Sequence, residues 1–98
     1  MSKKFIKLTE EFWEHDEIQK LSASSLKFLI DLLFISYSFN HKPFYQTSKQ
    51  LYEKCNITNR MDLSRKKENL EKLDIKIYRV MKTYHFDLSK FFEKYYTL

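Results

Sequence analysis

The chain has 98 residues, 43% of them hydrophobic and 17% aromatic, enough apolar side chain for one domain over 1–98, and its net charge of +5 suits a polyanionic partner. It has no glycine, which excludes a P-loop, a dinucleotide-binding G-x-G-x-x-G, a G-x-S-x-G nucleophile elbow, an EF-hand loop and the usual KH and RRM motifs, and its single proline argues against turn-rich all-β folds. Its one cysteine, Cys55, excludes an internal disulfide and a cysteine-rich zinc site and suggests a reducing cytoplasm, and no apolar run reads as a membrane span or a secretory leader.

Residues 5–8, Phe-Ile-Lys-Leu, read as a short N-terminal arm or strand. Thr9 is placed to cap a helix opened by Glu10 and Glu11, which suit the positive end of its dipole. Phe12 and Trp13 turn inward there, and the helix is expected to fray into the acidic Glu14-His15-Asp16-Glu17.

The strongest helical signal is LSASSLKFLIDLLFISYSF, with Ser22 as its cap. At 100° per residue, Leu26, Leu29, Ile30, Leu33 and Tyr37 share one stripe, and Phe28, Leu32, Ile35 and Phe39 form a second, nearly opposite. A helix apolar on two sides is normally covered on both. His41-Lys42-Pro43 ends it.

Thr47 or Ser48 then caps a short helix with Leu51 inward and Tyr52 and Cys55 as further inward candidates. Asn56-Ile57-Thr58-Asn59 interrupts it. Thr58 or Asn59 caps a longer helix with Leu63, Leu70 and Leu73 on its inner face, while Lys66 and Lys67 stand where an aliphatic residue is expected. Residues 42–67 carry seven bases against Glu53 and Asp62, a segment charge of +5, whereas 10–31 carries −4.

After Leu73 the period changes to two. Ile75 and Ile77 alternate with Lys76 and Tyr78, and Tyr84, Phe86 and Leu88 with His85 and Asp87, which predicts a hairpin with its tip near Met81-Lys82-Thr83. Asp87 or Ser89 caps a last helix over 89–96 that presents Leu88, Phe91, Phe92 and Tyr95 on one face.

The expected fold is mainly α with a small β-hairpin. Helix, short helix, turn, longer helix, hairpin is the order of a winged helix-turn-helix, with the helix-turn-helix at 47–73 and the wing at 75–88. The chain resembles such domains in phage and plasmid replication proteins of the replisome-organiser kind. The likeness lies in FIKLTEEFWE, LSASSLKFLIDLL and TSKQLYEKCNITNRMDLSRKKENLEKLDIKIYRV. It departs from their pattern at Asp74, where glycine usually ends the second helix, at Lys67, and in a wing without glycine. Small size and a residue usage skewed to A/T-rich codons extend the resemblance to the small partner proteins of A-family-polymerase-like primases on staphylococcal cassette chromosomes. The resemblance implies a replication accessory of a mobile element that docks on a larger polymerase or primase and helps to hold DNA, single-stranded DNA in first place.

On this frame Asn59, Arg60, Asp62, Arg65, Lys66 and Asn69 lie away from Leu63 and Leu70 on the second helix. Arg and Asn there can read base edges, and Lys can bind phosphate. Lys49, Lys54, Arg79 and Lys82 are candidates for the DNA backbone. Tyr78 and Tyr84 are candidates for stacking on unpaired bases. For a protein partner, the second stripe offers Phe28 and Leu32, unless the terminal aromatics cover it internally. Trp13, Phe92 and Tyr96 are then expected to include an exposed docking patch.

His15, His41 and His85 have no metal-ligand spacing, and no catalytic set is found, so the expectation is a non-enzyme without metal or cofactor. Two other readings stay open: a dimeric regulator reading duplex DNA, and a protein-only adaptor.

Overall fold

A computed structural model describes residues 8–96, so residues 5–7 of the expected arm lie outside it. In chain order the elements are α1 (Glu10–Glu14), α2 (Asp16–Gln19), α3 (Ala23–Ser38), β1 (Phe44–Thr47), α4 (Ser48–Lys54), α5 (Arg60–Glu71), β2 (Lys76–Val80), β3 (Thr83–Asp87) and α6 (Ser89–Tyr95). The protein is mainly helical with one antiparallel sheet in the order β1-β3-β2.

Local chemistry sets the helix starts. Thr9 accepts the Phe12 N–H at 3.2 Å, Ser22 the Ser25 N–H at 3.3 Å, and Asn59 the Asp62 N–H at 2.8 Å. Thr47 and Gln50 form a reciprocal capping box on α4. At α6 the Asp87 carboxylate accepts from the hydroxyl and the N–H of Ser89, which holds it below its ordinary value.

Two elements differ from the sequence reading. The acidic stretch does not fray: His15 breaks the helix for one residue, and α2 then buries Ile18 at 1% exposure. The sheet also has a third strand. β1 alternates Phe44 inward, Tyr45 outward and Gln46 inward, and pairs Phe44 with Phe86. A polar residue at an inward position, in a run that passes straight into a helix cap, hid this strand from the hydrophobic pattern.

The central helix buries one stripe instead of two. Ser25, Phe28, Leu29, Leu32, Leu33 and Ser36 are buried at i, i+3, i+4 spacing, midway between the two expected faces. Leu26 is only partly covered, and Phe34 and Tyr37 face outward. Phe28 and Leu32 are fully buried, so they form core and not a partner surface. The same correction applies at the termini. Phe92 and Tyr96 are 8% and 9% exposed, because Phe12 draws the last helix inward. Its ring meets Phe91 at 6.3 Å and Tyr96 at 6.0 Å, both edge-on. Of the expected patch only Trp13 stays exposed, at 42%.

Trp13 and Tyr52, both read as inward, are exposed, and the leucines and isoleucine of the rest of the core follow the pattern. Leu29, Leu33, Leu51, Leu63, Leu70, Ile75 and Phe86 are all buried. Cys55 is buried as well, and burial pushes its thiol up to about 12, out of the range of a nucleophile at neutral pH. Among the described residues no helix is long and apolar enough to cross a membrane.

Without glycine, the chain turns, among the described residues, at five with positive φ: Asn40, His41, Asn56, Asp74 and Met81. At the end of α3, the His41 N–H reaches the Ser36 carbonyl at 2.8 Å and the Asn40 N–H that of Tyr37 at 3.1 Å, a Schellman closure with asparagine in the usual glycine position. In the hairpin, Met81 begins the two-residue connection between Val80 and Thr83, where glycine or asparagine is the common choice. Its side chain is 86% exposed and contributes no packing. Met81→Gly should therefore raise unfolding stability by about 1 kcal/mol, as the relieved left-handed strain outweighs the added freedom of the unfolded chain. Urea denaturation checks this, and a loss of stability would show that the turn is not strained.

Candidate nucleic-acid interface

α4 and α5 follow each other across the short connection 55–59, and β2 and β3 return beside α5. Between α5 and the hairpin lies a groove of about 380 Å³, lined by Arg60, Met61, Leu63, Ser64, Lys67, Arg79 and Tyr84. Three cations and no carboxylate line it. A second hollow, between the end of α5 and the start of α6, mixes Glu71, Asp74 and Asp87 with Lys76 and Lys90. The first therefore suits an anion much better than the second.

The cations reach the groove for geometric reasons. Arg60, Ser64 and Lys67 are spaced i, i+4, i+7 and share one side of α5. Arg79 comes from β2, on the same sheet face as Tyr84, which is its cross-strand neighbour. Its guanidinium lies 5.8 Å from the Tyr84 ring centre, and its Nε donates to the Met81 carbonyl at 2.6 Å. Arg79 is thus held at the groove wall and also ties the hairpin tip.

Several sequence-predicted residues are engaged elsewhere. Lys66 is 6% exposed on the same face as Leu63 and Leu70. Its ammonium meets Asp62 Oδ2 at 3.1 Å, so it is not presented on the outer face of α5 as expected. That ammonium, together with the Thr58 N–H, holds the Asp62 carboxyl below its ordinary value. Asn69 points toward α3 and donates to Ser25 Oγ at 2.9 Å, and Asn59 is the cap of α5. Tyr84 is buried at 8% beneath Arg79 and offers no free ring face for a base.

Arg60 and Arg65 are exposed on α5, Lys49 and Lys54 on α4, and Lys82 at the hairpin tip. Tyr78 is exposed on the opposite face of the sheet, away from the groove. Lys67, Met61 and Ser64 were missed as groove residues. The helical spacing carried that signal: Lys66 falls in line with Leu63 and Leu70, whereas Lys67 falls in line with Arg60. Among the described residues no group of His, Cys, Asp and Glu is placed to hold a metal ion. No family model, curated protein or solved structure matches the chain.

The pair of buried Lys66 and partly exposed Asp62 leads to a prediction. Lys66→Met keeps the apolar stem and removes a desolvated charge, so it should leave the melting temperature unchanged or raised. Lys66→Ala should cost about 2 kcal/mol through the packing it deletes. Because the folded-state Asp62 pKa is depressed, the pair's contribution is present above the ordinary carboxylate pKa and lost as pH falls through the folded value. Lys66→Met should accordingly lose less stability than the parent on acidification, as read by thermal melts from neutral pH downward. An acid response equal to the parent's would show that the pair contributes nothing.

Proposed function

We propose that the protein is a winged helix-turn-helix module that binds DNA along the groove between α5 and the hairpin, as an accessory of a larger replication enzyme such as a polymerase or primase. In this reading α4 and α5 are the helix-turn-helix, β2 and β3 the wing, and β1 the short strand that completes its sheet. The order of elements from α3 to β3 and the sheet order β1-β3-β2 both support it. The observation that carries the DNA reading is the acid-free groove of Arg60, Lys67 and Arg79. The replication role rests on the resemblance of three segments to replisome-organiser domains, and the burial of Phe28, Leu32, Phe92 and Tyr96 removes the surface first expected to hold the enzyme.

The chemistry favours a single strand over a duplex. A helix inserted into the major groove needs an outer face compatible with phosphates on both sides. The exposed residues of α5 include Glu68 and Glu71 beside Arg65, with Lys72 capping the helix end, so that surface is mixed in sign. The charged residues that line the groove beside it are all basic.

The test is fluorescence anisotropy with a labelled single strand and the matching duplex over a salt series. Affinity for the strand should fall linearly on a log–log plot. The Arg60→Ala/Lys67→Ala variant should weaken binding and reduce the salt slope by about one to two. Lys90→Ala, which faces the mixed-charge hollow, should change little. Equal affinity in the parent and the double variant would remove the groove from the function. Tighter binding to duplex, by a symmetric dimer, would favour the regulator reading.

A further inference from the structure

The sheet face turned away from the helices carries three aromatic rings in a row. Tyr45 on β1 is opposite His85 on β3, which in turn is opposite Tyr78 on β2. Tyr78 and His85 stack with centres 5.0 Å and planes 8° apart. Tyr45 leans on the other side of His85 at 5.7 Å and 34°. The two tyrosines are 59% and 49% exposed.

Cross-strand stacking on His85 engages one flank of each tyrosine and leaves the remaining ring surface open to solvent. The row here is open at both ends, because β1 and β2 are the two edge strands. His85 is flanked by rings on both sides. Each tyrosine has one flank against His85 and the other directed past the sheet edge. The hollow of about 290 Å³ beside the rings has the charged Lys76 and Asp87 in its lining as well as Pro43, Phe44 and Phe86, which suits a purely apolar peptide side chain poorly. A flat aromatic group that stacks is the ligand this surface fits.

Its position relative to the groove narrows the ligand further. Tyr78 and Arg79 are neighbours on β2 and point to opposite faces of the sheet. A chain of phosphates lying against Arg79 needs to cross only this one edge strand to bring a base onto Tyr78. Duplex bases are already stacked on their neighbours and present no free face, whereas an unpaired strand does.

We propose that Tyr78 and Tyr45, the two ends of this ladder, stack on unpaired bases of a DNA strand whose phosphates lie in the groove of Arg60, Lys67 and Arg79. The inference rests on the groove reading above and specifies its substrate as single-stranded DNA held on two faces of the wing.

The experiment uses the full chain, a labelled oligothymidylate, a duplex of the same length, and an oligonucleotide of that length carrying abasic sites. Threonine keeps strand propensity, so Tyr45→Thr/Tyr78→Thr is the test variant, with Tyr45→Phe/Tyr78→Phe as its conservative counterpart. The threonine variant should bind the strand at least about 10-fold more weakly with duplex binding unchanged, and the phenylalanine variant should bind as the parent does. The abasic strand should bind the parent as weakly as the intact strand binds the threonine variant. Unchanged strand affinity in a folded threonine variant, with Arg60→Ala/Lys67→Ala still weakened, overturns the ladder and leaves the groove standing. Should the threonine variant fail to fold, equal binding of abasic and intact strands by the parent overturns it instead. A parent that binds neither strand nor duplex overturns groove and ladder together.

Discussion

Strand β3 is paired on both edges, and its two-residue alternation divides the molecule. Tyr84 and Phe86 face the helices; Thr83, His85 and Asp87 face away. Phe86 stacks on Phe44 at 5.2 Å, and Phe44 on Phe39 at 5.7 Å, which joins the sheet to the end of α3. Tyr84 forms part of the groove floor, and His85 is the centre of the outer ring ladder. A slip of one residue in this strand would exchange core for surface and lose the groove and the ladder at once. Both proposed contacts with DNA therefore depend on the same register that holds the core together.

Charge on the sequence and charge on the surface are different quantities here. The basic segment 42–67 includes Lys66, which the fold removes from solvent and neutralises with Asp62. What remains is sorted by place. Arg60, Lys67 and Arg79 meet along a groove with no carboxylate, although Arg79 lies outside that segment. Net charge identifies a class of partner, but only the fold decides which cations act together.

Most helices were legible because their caps and inner leucines agree. Thr9, Ser22, Thr47 and Asn59 all cap as their side chains allow, and Leu63 and Leu70 mark the inner face of α5. The hairpin was legible from the change of period after Leu73. Three things were not. α3 is so rich in apolar residues that two stripes fitted equally well, and the observed one lies between them. β1 is four residues long and hides Gln46, 3% exposed, at an inward position. The faces of Phe92 and Tyr96 depended on Phe12, which is distant in sequence. The ring ladder was half visible, since Tyr78 could be read as a stacking residue, but Tyr45 and His85 join it only through strand pairing.

The glycine-free turns bear on how the chain ages. Asparagine deamidates when the next backbone nitrogen attacks its side-chain amide, and an unhindered following glycine makes that attack easiest. Two of the exposed left-handed turns are formed by Asn40 and Asn56, the kind of position where such damage usually begins. Here His41 and Ile57 follow them, and Arg60 and Leu70 follow Asn59 and Asn69. Each side chain obstructs closure of the succinimide ring. The same omission that strains the turns protects them from becoming isoaspartate.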